Sequence, residues 1–363
     1  MLYSRSGHGG FWALGRHSIV FDSTTTRPDV SRWVLGVVLA AVAIAFPLFA
    51  TPFLIDLACQ VFLACIGALS LMILTGFAGQ VSLGHAGLIA AGAFTTGILT
   101  KELNAPVFLT IPAAAVMGML LGLVFGLPSL RLRGLYLAVS TLALYFIVIY
   151  LGGEYETKRG FSTGILIEPP SIFGYRLTDG RGWYVVLLVA TALVFWLVFN
   201  LLRGRTGRAW GAMHVNETVA AALGINVPRA KLMAFVISSG ITAVGGALFA
   251  LYRGFVSVDA FPLMLSVQYI AMIIVGGMGS LTGAILGAVF LTVLPYAIES
   301  FVMLLPGASG HANQVFAVNY TAFGLVMIIF LVLEPGGLVA IGRRIRARLP
   351  KARIRAQAVE KTL

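Results

Sequence analysis

Few side chains in this 363-residue chain are equipped for chemistry, and most of them sit in three polar interruptions of an apolar sequence. The first is Gly79-Gln80-Val81-Ser82-Leu83-Gly84-His85-Ala86-Gly87, preceded by Thr75-Gly76-Phe77-Ala78. An imidazole beside apolar helix either lines a conduit and senses protonation, or commits its nitrogens to hydrogen bonds at a helix junction. The second is the long acidic segment 152–182, with Glu154, Glu156, Glu168, Asp179 and a central Pro169-Pro170. The third is the basic segment 204–231, reading GRTGRAWGAMHVNETVAAALGINVPRAK.

The chemistry that is missing narrows the function. There is no G-x-x-x-x-G-K-[ST] phosphate loop, and none of the five lysines follows a glycine, so the chain is not expected to hydrolyse ATP itself. No HExxH, nucleophile elbow or cysteine–histidine cluster occurs, so no catalytic residue, cofactor or metal is expected. Cys59 and Cys65 lie six apart in one apolar stretch and cannot bridge. Ionisable residues are nearly absent from the apolar stretches: Asp56 is near an edge, and Glu299 and Glu334 are at ends. A proton- or sodium-driven carrier normally keeps carboxylates near the midplane.

These groups need a membrane scaffold to position them. The chain is 59% hydrophobic and 10% charged, against about 25% charged for an ordinary soluble domain. The expected fold is all-α and polytopic. Ten spans are read near 33–51, 56–75, 82–99, 107–127, 135–151, 183–202, 232–252, 263–278, 281–298 and 316–333. With both termini cytoplasmic, 19 of the 25 Lys and Arg fall on the inner side, as the positive-inside rule requires. Eight spans would give the same bias. The net charge of +12 sits at span ends and tails without interleaved aromatics, which favours a lipid surface over nucleic acid. Residues 1–32 form an N-terminal tail, 33–338 the membrane domain and 339–363 a basic tail suited to anionic lipid.

Within 204–231, Asn216 is a good N-cap and Glu217 suits the positive end of a short helix. Ala220 and Ala221 keep that helix slim, Gly224 before Ile225 is a left-handed stop, and Pro228 opens the next helix. A helix this short must dock on something: its own membrane domain or a partner. Elsewhere Gly118, Gly122 and Gly126, and Gly279, Gly283 and Gly287, recur every fourth residue, marking either a subunit seam or internal packing. Thr75–Gly79 faintly repeats in Val275-Gly276-Gly277-Met278-Gly279; paired glycine breaks of this kind can flank a transport path.

The string GRAW…NETVAAALGINVPRAKLMAFVIS, with Glu217, its alanines and Gly224, resembles the E-A-A…G signature of ABC-importer permease subunits. It is similar to the LivM-type branch that handles branched-chain amino acids. Gly79–Gly87 resembles that family's GxxSLGHA motif, and Leu130-Arg131-Leu132-Arg133-Gly134-Leu135-Tyr136-Leu137-Ala138 its L-R-x-R-G-x-Y-L-A. Gly164-Ile165…Pro169-Pro170…Phe173-Gly174 resembles its outer-loop pattern, with Thr163 where Asn or Asp is usual. The resemblance spans roughly 54–338 and implies a multi-pass permease in a bacterial inner membrane. It implies that Arg208, Asn216, Glu217, Ala220, Ala221, Gly224 and Ile225 couple to an ATPase. Gly76, Gly79, Ser82, Gly84, His85, Gly276 and Gly279 would form a translocation path or helix junction. Glu154, Glu156 and Gly164 would receive a binding protein. The implied partners are a second homologous permease, two cytoplasmic ATPase subunits, an extracytoplasmic binding protein and the bilayer. The other reading is a stand-alone carrier or channel for a small polar solute such as urea or an amide.

Overall fold

The structure, a computed structural model, describes residues 45–130, 134–161, 164–172, 175–303 and 336–348, with scattered positions 43, 321, 324, 325 and 328–330. Most of the first and tenth expected spans therefore lies outside the described residues, as do Arg131, Arg133, Thr163, Phe173 and Gly174. The other eight expected spans are helices.

Helix α1, Pro52–Leu71, starts where Thr51 accepts from Leu54 N at 3.4 Å and Pro52 takes a first-turn position that needs no donor. It continues as a π-helical turn, Met72–Phe77. Then follow α2 His85–Leu103, α3 Val107–Ser129, α4 Leu135–Arg159 and α5 Gly180–Arg203. On the basic segment lie α6 Arg205–Val215 and α7 Glu217–Ala222. Helices α8 Val227–Arg253, α9 Leu263–Gly276, α10 Leu281–Met303 and α11 Gly337–Arg348 follow. Among the described residues, seven helical segments are long and apolar enough to cross a membrane. The exception among the eight is α2, which carries Lys101 and Glu102 in its last turn and is buried along most of its length.

Helices α1 and α8 are central: 78% and 67% of their apolar windows are buried, against 22% for α3. Helix α3 turns Phe108, Val116 and Val124 outward, and α5 turns out Val189 and Trp196, apolar faces suited to lipid or to another membrane subunit. Close approach depends on glycine. A Cβ on Gly122 would lie 2.8 Å from Ser239 Cβ, and one on Gly126 would lie 2.8 Å from Leu232 Cδ1. Gly118, Gly122 and Gly126 thus seat α3 on α8, while Gly283 and Gly287 seat α10 on α9. Both glycine series serve internal packing.

The 152–182 segment is not all loop. Helix α4 runs through Glu154 and Glu156 to Arg159, and Gly160 at φ 70° ends it. Beyond it, β1 Ile165–Leu166 pairs antiparallel with β4 Phe255–Val256, Ile165 opposite Val256; β2 Ser171–Ile172 pairs with β3 Tyr175–Arg176. These short ladders are the strand content among the described residues, and β1–β4 pins the 152–182 segment to the exit of α8.

Candidate functional site

The basic segment folds as two helices and a turn. Helix α6 was not foreseen, though Trp210 and Met213, three apart between glycines, carry its apolar face. Trp210 is fully buried and its Nε1 donates to Ala230 O at 2.9 Å, tying α6 to the start of α8. Arg208 is exposed, its Nη1 donating to Arg203 O at 3.0 Å. Asn216 caps α7 as expected: its Oδ1 accepts from Thr218 N at 2.9 Å and Val219 N at 3.1 Å. Ala220 is buried, Ala221 is exposed, and Val219 and Leu223 project outward at 55% and 73% exposure. Gly224 adopts φ 83°, and Ile225 N returns to Ala220 O at 3.1 Å. Asn226 rather than Pro228 caps α8, accepting from Arg229 N at 3.0 Å, so Pro228 occupies the second helical position.

The carboxylate of Glu217 turns inward. Its Oε1 lies 2.6 Å from Lys231 Nζ, whose side chain is only 10% exposed. Breaking a fully buried pair costs about 3–5 kcal/mol; the exposure of Glu217, 35%, places this pair below that range. The same lysine accepts at its backbone oxygen from Gln80 Nε2 at 3.2 Å. Lys231 thereby joins α7 to the first glycine break, a link that only the folded chain reveals.

That break is a designed interruption of α1. Ala78 N reaches Ile73 O and Gln80 N reaches Leu74 O, while Thr75 Oγ1 donates to Gln80 O at 3.0 Å. Gly79 takes φ 69°, and a Cβ there would lie 2.8 Å from His214 Nδ1 of α6. Partial burial holds His214 below the usual imidazole range, so it is neutral against this turn at pH 7. The second break follows Gly276, with Gly277 at φ 113° and Gly279 at φ 80°. The two breaks meet: Gly279 N donates to Met72 Sδ at 3.3 Å, and a Cβ on Gly76 would lie 3.1 Å from Gly279 N. Gly76, Gly79, Gly276 and Gly279 therefore form one junction beside the α6–α7 unit. Helix α11, the start of the basic tail, abuts it through Gly336 O, 2.7 Å from a Cβ on Gly277.

Ser82, Gly84 and His85 lie at the other side of the first break. Ser82 Oγ accepts from Gly84 N at 3.3 Å, Leu83 N donates to Thr141 Oγ1 at 2.9 Å, and Ala86 N donates to Ser266 Oγ at 2.9 Å. His85 is 1% exposed, with Nε2 3.1 Å from Gly67 O and the Tyr269 ring edge-on at 4.8 Å. A carbonyl only accepts, so Nε2 carries the proton and His85 is a fixed donor. Hydroxyls continue this seam: Ser70 and Thr242 meet at 2.9 Å, and Ser238 Oγ donates to Ser70 O at 2.7 Å. His85→Asn, which keeps a donor for Gly67 O, is expected to cost about 1 kcal/mol. It should leave the pH profile of uptake unchanged between about pH 5 and 8. Loss of an acid-sensitive phase in that variant would assign His85 a protonation role.

The acids of the 152–182 segment do less together than expected. Glu154 is half-buried and pairs with Lys158 at 3.0 Å, whereas Glu156 Oε1 accepts from Val258 N at 3.1 Å and secures the turn after β4. Gly164, at φ 92°, is packed so that a Cβ would lie 2.5 Å from Val256 O. It sets the β1–β4 register rather than presenting a surface.

Comparison with known proteins identifies the family of the chain. The family described as branched-chain amino acid transport system, permease component, matches residues 53–332. The chain is 30% identical over 338 residues to the high-affinity branched-chain amino acid transport system permease protein LivM of Escherichia coli, covering 86% of this chain and 76% of that protein. It is 30% identical to the Salmonella typhimurium LivM, covering 84% and 74%. It is 28% identical to the probable LivM of Methanocaldococcus jannaschii, covering 64% and 67%. No solved structure matches the chain significantly.

Proposed function

The chain belongs to the family of branched-chain amino acid transport permease components, and from that premise we propose how it works. It is the membrane-spanning subunit of an ABC importer and moves branched-chain or related hydrophobic amino acids. It pairs with a second, homologous permease, takes energy from two cytoplasmic ATPase subunits and receives solute from an extracytoplasmic binding protein. It resides in the cytoplasmic membrane with both termini inside and about ten spans.

The observation that carries this reading is the exposed, capped helix α7 wired into the glycine junction. Val219 and Leu223 offer apolar contact that the chain itself does not bury, as a helix entering a partner's groove requires. Force on α7 is passed through the Glu217–Lys231 pair, then from the Lys231 carbonyl to Gln80, and so to the break in α1. Glycine at both breaks lets the backbone change direction there without a side chain to obstruct it. The motion is thus delivered where α1 and the α9–α10 turn touch, and Glu154 and the outer ladders face the side where a binding protein delivers solute.

The test is uptake of radiolabelled leucine into proteoliposomes. Uptake is expected only when the permease pair, the ATPase subunits, ATP and the loaded binding protein are all present. Equal uptake by the chain alone would establish a stand-alone carrier or channel instead.

A further inference from the structure

Two cavities meet in the half of the bundle opposite the glycine junction. The inner one, about 300 Å³, lies among α1, α8, α9 and α10, with walls that include Leu63, Phe249, Phe261, Leu265 and Leu291. The other, about 400 Å³, is a vestibule bounded by Pro169, Leu177, Trp183 and Tyr252. Arg253 lines both. Among the described residues it is the sole charged side chain on the inner cavity, and Asp56 is its sole charged companion in the vestibule.

These opposite charges do not neutralise each other. Asp56 accepts from Tyr252 OH and, at 2.6 Å, from Gln60 Nε2; Gln60 Oε1 accepts in turn from Tyr296 OH at 3.0 Å. The Arg253 guanidinium instead lies over the rings of Phe249 and Tyr252, at 6.0 and 5.8 Å. Among the described residues no carboxylate pairs with it. Unengaged polarity continues inward. Thr292 Oγ1 on the inner wall is buried without a hydrogen-bond partner. Pro295, one turn on, has no N–H for the Leu291 carbonyl. An apolar chamber with separate cationic and anionic groups at its mouth is complementary to a solute that carries both charges on an apolar body. At about 300 Å³ it is of the size that holds a small organic ligand.

We propose that Arg253 and Asp56 bind the carboxylate and ammonium groups of an apolar α-amino acid, whose side chain enters the inner cavity. This rests on the permease reading and narrows it. Urea and simple amides would engage neither charge fully, and a monocarboxylate would engage only Arg253. Selectivity for zwitterions is then built into the membrane subunit as well as into the binding protein.

The experiment measures equilibrium binding of radiolabelled leucine to the purified permease–ATPase complex without binding protein. Leucinamide, which lacks the carboxylate, and 4-methylpentanoate, which lacks the amine, serve as competitors. Leucine should be favoured over each by about tenfold or more, the worth of one charge-assisted bond. Arg253→Gln should abolish the preference over leucinamide, and Arg253→Lys should keep most of it. Asp56→Asn should abolish the preference over 4-methylpentanoate. Absence of discrimination by the wild-type complex, or preferences unchanged in both neutral variants, would overturn the assignment. The broader reading is judged separately: a wild-type complex that couples ATP to leucine uptake yet shows no such discrimination loses only this site. One that never couples loses the permease reading itself.

Discussion

Gly276→Val is expected to unseat α10 from α9 and abolish uptake. A Cβ at Gly276 would collide with the carbonyl oxygen of Gly283, and one at Gly283 would lie 2.8 Å from that of Gly276. Both obstacles are helix backbone, which cannot retreat as a flexible side chain can. The cost should reach about 3 kcal/mol or more, the upper end for overpacking. Gly160→Ala provides the control: that residue is also at a helix end, with φ 70°, but a Cβ there meets nothing within 4 Å. It should lose only the left-handed backbone preference, about 1–2 kcal/mol. Thermal unfolding of the two variants in detergent would separate them, and equal melting shifts would contradict the packing account.

The second large effect concerns Glu217. Glu217→Lys sets two ammonium groups against each other, one of them on the mostly buried Lys231. It also places positive charge at the positive end of α7. The helix should shift away from Lys231, slackening the path to Gln80, although Asn216 still caps it. Charge reversal at both positions, Glu217→Lys with Lys231→Glu, rebuilds an ion pair of opposite polarity. A role in transmission predicts recovery in the double variant. A role for Glu217 in contacting only the ATPase predicts none.

Much of this was readable from local pattern. The cap at Asn216, the turn at Gly224 and the order of helices follow from short-range rules that the fold leaves intact. The spacing of the glycine series marked close helix contact, but that the contact is internal rather than between subunits came only from the packing on α8 and α9. Three features were not legible. Helix α6 was obscured by its glycines, whose low helix propensity is overridden when Trp210 buries itself and bonds to Ala230, and by its arginines, which interrupt the apolar pattern. The acids 154 and 156 were read as loop because charge ends an apolar pattern before it ends a helix. Lys231 looked like one more inward-facing cation, since pairing across fourteen residues and contact with Gln80 arise only when α6, α7 and α8 close on one another. The meeting of the two glycine breaks belongs to the same class: the faint repeat was visible, the contact between its halves was not.

The most direct test is the number of solute molecules taken up per ATP hydrolysed in proteoliposomes that contain the whole transporter and loaded binding protein. Wild type, Glu217→Lys and the charge-reversed double variant would be compared after co-purification of the ATPase has been checked for each. The account predicts that the ratio falls by about tenfold or more in Glu217→Lys, as expected for loss of a charge-assisted contact, and recovers substantially on charge reversal. A wild-type ratio in Glu217→Lys, with the ATPase still bound, would contradict transmission through α7 and Lys231.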